Sequence, residues 1–270
     1  MDITSNVIER KEAVAQSACA CGSGGCGCHS HTQGQQIEGK DIPERFQLLQ
    51  EGDRVVDLGS GLGIDSFAMA QLIGPKGKVV GIDLSEANIK TAREYLDSSR
   101  ISNVEFRQGD IASIPLPHEF ADVIYASCVF NLQSNKQKVA DEIYRVCDHN
   151  GYVCVSDYVI INDIPEGLRK EAATLAGCIE GAEKAEVFMN YFHKTGFTKG
   201  GIVEVVKVKL PVEMLEKHLS PAMVRKYNDA DSDEGIFSVV LLVEKPETCS
   251  AETCCGNPDK HKNYEVWSKE

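Results

Sequence analysis

A chain of 270 residues with 42% hydrophobic and 26% charged residues can bury one large core and carry appendages besides. Its formal net charge of -13 argues against a nucleic-acid partner, because binding phosphates needs a basic face. No apolar run approaches the roughly 20 residues of a membrane span. The opening "MDITSNVIERKEAVAQ" lacks the apolar stretch of a secretory signal, so a cytoplasmic location is expected and no membrane partner is.

Residues 1–41 read as a flexible polar tail built around "CACGSGGCGCHSH" (19–31). The folded unit is expected from Ile42, where "PERFQLLQEG" predicts a short entering helix with Pro43 in its first turn and Gly52 past its end. Five short β-branched strands follow: "RVVDLG" (54–59), "KVVGID" (78–83), "NVEFRQGD" (103–110), "ADVIYAS" (121–127) and "GYVCVSD" (151–157). Helical patterns separate them. One runs to Gly74, one opens on Ser85 as N-cap, and one sets Val139, Ile143 and Val146 on a single face. Alternating strands and helices with near-continuous apolar strands predict a parallel sheet covered on both faces.

Beyond Asp157 the rhythm changes. "IPEGLRKEAATLAGCIEGA" predicts a helical insertion, and "EKAEVFMNYFHKTGF" a second helix ending at Gly196. The alternating "GIVEVVKVKL", a helix near 211–219, a polar loop and the strand "IFSVVLLVEKP" predict an antiparallel hairpin that closes the sheet. The expected division is a tail (1–41), a cofactor-binding core (42–160), capping helices with closing strands (161–245) and a second tail (246–270) containing "CSAETCCGNPDKHK".

The cofactor signal is "VVDLGSGLGID". Asp57 precedes Gly59-x-Gly61-x-Gly63 at the first strand-to-helix turn, where a ligand must approach the backbone closely. A dinucleotide site more often spaces its glycines G-x-G-x-x-G, with pyrophosphate on the helix N-terminus. The tighter spacing and the carboxylate suit a cationic ligand with an amino group. Asp83, twenty residues beyond Gly63, can accept hydrogen bonds from ribose hydroxyls. The third strand ends in "GDI", where Gly109 and Asp110 can meet an adenine amine. Together these stretches resemble the S-adenosylmethionine site of Rossmann-like class I methyltransferases. The resemblance implies an α/β fold with a seven-stranded, mostly parallel sheet and an antiparallel C-terminal strand. It implies a cofactor site shaped by Asp57, Gly59, Gly61, Asp65, Asp83, Leu84, Gly109, Asp110 and Ile111.

Eleven cysteines in a long chain without a secretory signal point to metal binding or catalysis rather than a disulfide framework. Cys154, in the middle of a strand, and Cys147, at a helix end, read as packing. Cys128 lies just beyond the carboxyl end of the fourth strand, the edge that faces the ligand crevice of an open α/β sheet. Cys178 sits between Gly177 and Gly181 in the insertion. "SCVFNL" and "AGCIEGA" resemble the "SNCVINL" and "AGCISGA" of microbial arsenite methyltransferases, a likeness that spans about residues 52–200. It implies methyl transfer to arsenite or a related metalloid bound by Cys128 and Cys178, with a thiol reductant such as glutathione or thioredoxin. Thiolates suit soft trivalent arsenic.

The chain departs from that family at three points. It has no cysteine just before the first strand, Ser66 stands where relatives often have cysteine, and "CCGNP" falls at 254–258. The third arsenic ligand is expected from the N-terminal cluster of Cys19, Cys21, Cys26 and Cys28, with Cys254 and Cys255 next. That cluster also has the composition of a soft-metal scavenger. Two other functions stay open on the sequence: a small-molecule C- or O-methyltransferase of the ubiquinone/menaquinone type, and a metalloid carrier or sensor on a degenerate methyltransferase fold.

Overall fold

A computed structural model describes residues 46, 48–230 and 232–247. The two cysteine-rich tails and most of the expected entering helix lie outside the described residues. The strands are β1 (Arg54–Leu58), β2 (Lys78–Asp83), β3 (Val104–Gln108), β4 (Ala121–Ser127), β5 (Cys147–Ile160), β6 (Glu183–Lys184), β7 (Lys199–Lys207) and β8 (Ile236–Glu244). The helices are α1 (Ile64–Leu72), α2 (Glu86–Ser98), α3 (Lys136–Val146), α4 (Glu166–Ala172), α5 (Ala185–Thr195), α6 (Val212–His218) and α7 (Pro221–Asn228).

The sheet runs β3-β2-β1-β4-β5-β8-β7, with the short β6 pairing β5 off this path. The first five strands of the path pair in parallel, and β8 lies antiparallel to both β5 and β7. This is the α/β fold of class I methyltransferases expected from the strand rhythm. The chain leaves β1 toward β2 and β3, then returns to lay β4 on β1's other side. That reversal opens a crevice beyond the carboxyl ends of β1 and β4.

Both faces of the sheet are buried, so the strands carry apolar side chains at successive positions. Val56, Leu58, Ile124 and Ala126 face a core with Val139, Ile143, Phe188 and Phe192 from α3 and α5. Val55, Val123 and Tyr125 face the other, with Met69, Ile73, Ile89 and Ala92. A smaller core under the capping helices gathers Leu168, Ile179, Leu215, Tyr227 and Ile236.

Three expectations need correction. The insertion is not one helix. α4 ends at Ala172, Cys178 rides on a 3₁₀ turn (Gly177–Ile179), and the chain then pairs with β5 as β6. Glycines at 177 and 181 interrupt the helical pattern and let the backbone fold back. The closing strands β7 and β8 pair antiparallel as expected, with the expected helix α6 and also α7 between them, and β8 lies between β5 and β7. α7 itself went unread, although Ser220 followed by Pro221 is a helix-start signal; the Ser220 side chain accepts from Met223 N. β5 extends seven residues beyond its expected limits in total, from 151–157 to 147–160. Cys147 and Cys154 are buried, as their positions in the chain predict. Among the described residues no helix is long and apolar enough to cross a membrane.

Phe192 anchors α5 and is fully buried, its ring centroid 5.1 Å from that of Phe130 and 6.0 Å from that of Phe188. Phe192→Ala is expected to cost about 3–5 kcal/mol, read as a lower urea midpoint at unchanged slope. A midpoint equal to that of the native chain would contradict this packing.

Candidate active site

The turn after β1 holds its glycines in the left-handed region: Gly59 at φ 72°, Gly61 at 54° and Gly63 at 84°. L side chains rarely adopt this conformation. Gly63 is also crowded, because a Cβ there would collide with the Phe106 ring. At Gly61 an added Cβ meets nothing within 4 Å, so this part of the turn faces open space.

Asp83, at the end of β2, is clamped. Its Oδ2 accepts from Gly61 N at 2.9 Å, and its Oδ1 accepts from Ser85 N at 2.8 Å and Asn88 Nδ2 at 3.2 Å. Gly109 N donates to the Asp83 carbonyl at 3.0 Å, which ties the end of β3 to the same corner. Asp110 is exposed and accepts from Ala112 N, Ile111 is buried behind it, and Leu84 is 70% exposed. Such exposure of a leucine beside a carboxylate suits a site that covers an apolar ring.

Asp57 is 3% exposed and accepts a short hydrogen bond from Ser66 Oγ. Burial pushes its carboxyl up to about 7, the charges of Asp65 and Asp83 add to the rise, and the Ser66 hydroxyl opposes it. Three carboxylates thus lie close enough to act on one another, a repulsion that a cationic ligand or a proton on Asp57 relieves. The buried Ser60 hydroxyl of the same turn has no hydrogen-bond partner among the described residues. An open glycine turn, neighbouring carboxylates and an orphaned hydroxyl fit a ligand that carries ammonium, sulfonium and ribose groups.

The second half of the site lies at the ends of β4 and β5. Cys128 follows β4 directly at φ 52°, a left-handed conformation unusual for a residue with a Cβ, and its N–H donates to the Ser156 carbonyl at 2.8 Å. Cys178 arrives from the 3₁₀ turn and is 1% exposed. The two thiol sulfurs and a carboxylate oxygen of Asp157 all lie within 4.8 Å of one another.

Asp157 is 1% exposed. It accepts from Asn131 N at 2.9 Å, Asn131 Nδ2 at 3.0 Å and Tyr158 N at 2.9 Å. Burial pushes its carboxyl up to about 6, against the pull of these donors and the Lys136 charge. Lys136 in turn donates to the Gly181 carbonyl and pairs with Glu183 at 2.8 Å, which pulls the insertion onto the sheet. Gly181 must be glycine, because a Cβ would run into the Asn131 carbonyl oxygen.

The two halves touch. A Cβ built on Gly59 would come within 2.7 Å of Val129, the residue after Cys128. The expected cofactor residues therefore gather at the ends of β1, β2 and β3, with the expected thiol pair beside them. Cys19, Cys21, Cys26 and Cys28 lie outside the described residues. Sequence reasoning missed Asp157, Asn131 and Gly181. Asp157 closes the strand string "GYVCVSD", and the strand-end logic that selected Cys128 applies to it equally.

The buried Asp57 carries a pH signature. Its folded pKa of about 7 lies above the unfolded value near 4, so the folded chain holds the extra proton. Its contribution is fully present below about pH 4 and is lost as pH rises through about 7. Asp57→Asn is expected to flatten the decline of the urea midpoint between pH 5 and 8. An unchanged slope would show that Asp57 does not carry that proton.

The family model described as "Methyltransferase domain" matches residues 49–196. The arsenite methyltransferase of Halobacterium salinarum is 34% identical over 202 residues, which is 75% of this chain and 48% of that protein. That of Mus musculus is 35% identical over 225 residues, 80% of this chain and 56% of the relative. The chain thus spans about half the length of the curated relatives it matches. The solved arsenic (III) S-adenosylmethionine methyltransferase of Chlamydomonas reinhardtii superposes with a TM-score of 0.60 at 25% identity, covering 77% of this chain and 72% of its own. Both curated relatives are arsenite methyltransferases, the family that the cysteine motifs resemble. With the family model covering more than half of the residues, the chain belongs to the methyltransferase-domain family.

Proposed function

We propose that this protein transfers the methyl group of S-adenosylmethionine to trivalent arsenic held by Cys128 and Cys178. The observation that carries the reading is the pair of thiols within 4.8 Å of each other and of a buried carboxylate, Cys128 being on the loop that contacts the glycine turn. A quinone-precursor methyltransferase has no use for two converging thiols.

S-adenosylmethionine, when bound, supplies an electrophilic methyl group on a sulfonium. Gly59 and Gly61 would let the backbone approach it. Asp57 and Asp65 would face its positive charges, and Asp83 would accept from its ribose hydroxyls. Leu84 would cover the adenine ring, whose amine would meet the edge formed by Gly109, Asp110 and Ile111. Cys128 and Cys178 each displace one hydroxyl of arsenous acid, releasing two waters and forming two As–S bonds. The arsenic lone pair survives, free to attack a methyl carbon. Transfer would make an As–C bond, and the broken C–S bond would leave its electron pair on sulfur. Arsenic rises formally from +3 to +5, and two reductant thiols that pair as a disulfide return it to +3. Glutathione or thioredoxin has that chemistry. The protein's contribution is positioning, which in general can supply several kcal/mol of the barrier.

Cys128→Ser and Cys178→Ser should each lower production of methylarsenicals, measured by mass spectrometry, by about a hundredfold, the scale of loss when a reactant is misplaced. Both should bind S-adenosylhomocysteine like the native chain in calorimetry, whereas Asp83→Ala should bind it about tenfold more weakly, as expected for lost hydrogen bonds to a charged group. Full methylation by both serine variants would overturn the arsenic reading.

A further inference from the structure

We propose that Asp157 is a substrate-binding residue that accepts a hydrogen bond from the one hydroxyl left on arsenic once Cys128 and Cys178 have bound it. By this contact the site distinguishes arsenous acid from its singly methylated product. The inference rests on the arsenic reading above and deepens it.

Two thiols condense with As(OH)₃ to give (RS)₂As–OH and two waters. One hydroxyl therefore remains unless a third thiol displaces it. A hydroxyl confined in a buried pocket needs an acceptor, since burying it unpaired costs free energy. Among the described residues, the Asp157 carboxylate converges with both sulfurs, all within 4.8 Å of one another. It is rigid, because Asn131 and Tyr158 hold it through three hydrogen bonds. An ionised carboxylate offers about four acceptor sites, so capacity remains for a fourth donor.

Nor is Asp157 needed to neutralise the nearby lysine. Lys136 has its own carboxylate partner in Glu183 at 2.8 Å and a further acceptor in the Gly181 carbonyl. A 1%-exposed carboxylate that faces two thiols and serves no ion pair of its own is an expensive group to keep in a core. Binding the substrate hydroxyl explains its place.

The contrast between substrates follows from counting hydroxyls. Methylarsonous acid, CH₃As(OH)₂, loses both hydroxyls to the two cysteines and offers Asp157 only a methyl group. The carboxylate then contributes to holding arsenous acid and not to holding the methylated acceptor. A polar residue thus favours the first methylation over the second without changing the cysteine pair.

The test is equilibrium dialysis of the full chain against arsenous acid and, separately, methylarsonous acid, with arsenic quantified by mass spectrometry. The Cys128→Ser/Cys178→Ser double variant supplies the background from thiols elsewhere in the chain. Because Asp157 also holds Asn131 and with it the Cys128 loop, Asp157→Ala should weaken both acids, arsenous acid about tenfold more than methylarsonous acid, the loss of one hydrogen bond to a charged group. Asp157→Asn keeps the side-chain volume and should lower the ratio of the two affinities at least about threefold, because a neutral acceptor is weaker than a charged one. It keeps the test decisive if the alanine variant does not fold. Equal weakening of both acids, or an unchanged ratio in the asparagine variant, overturns the role of Asp157. If the native chain binds neither acid above the double-variant background, the arsenic reading itself falls, and the proposal with it.

Discussion

The buried bond between Asp157 and Asn131 organises this molecule's chemistry. The carboxylate takes both the main-chain and side-chain N–H groups of Asn131, and so fixes the loop after β4 to the end of β5. That loop carries Cys128. The Asn131 carbonyl oxygen lies against Gly181, so the insertion closes only if residue 181 has no side chain. Closure in turn delivers Cys178. One hydrogen-bonded pair thus sets the distance between two thiols that are fifty residues apart in the chain.

Electrostatics divides the crevice into two environments. On the β1–β2 side, burial pushes the Asp57 carboxyl up to about 7, and the negative charges of Asp65 and Asp83 add to the rise. That arrangement favours a cationic ligand and costs stability without one. On the β4–β5 side the charge of Asp157 is offset by amide donors and by the more distant Lys136, so the surroundings favour a neutral substrate bonded to sulfur. Gly59 against Val129 is where the two sides meet. The absence of a Cβ there lets the turn that receives the cofactor approach the loop that presents the thiol.

Much of this was legible in the chain. The five parallel strands, the glycine turn, Asp83 and the end of β3 follow from local patterns, because each depends on residues close in sequence. Ser85 caps α2 as its position predicts, with Asn88 N donating to its hydroxyl. Where the reading failed, long-range contacts outweighed local propensity. The insertion reads as helix from its alanines and leucines, yet it breaks after Ala172 because Lys136 and the end of β5 recruit residues 181–184. The closing strands pair antiparallel as they read, but β8 runs between β5 and β7, an order that no pattern within either strand encodes.

By itself, then, the sequence determined the fold class and the glycine turn with its acidic partners, and it singled out Cys128 and Cys178 as candidate thiols. These are matters of residue type and spacing along a few strand ends. The tertiary structure decided how close Cys128 and Cys178 come, and that an Asp157 carboxylate oxygen lies within 4.8 Å of both sulfurs. It also decided that Gly181 is a packing requirement against Asn131. The reason is physical: a pocket assembled from the ends of two strands and a folded-back insertion exists only after the sheet has formed. The carboxylate that completes it is recognisable by its burial and its partners, neither of which is written in the letters around residue 157.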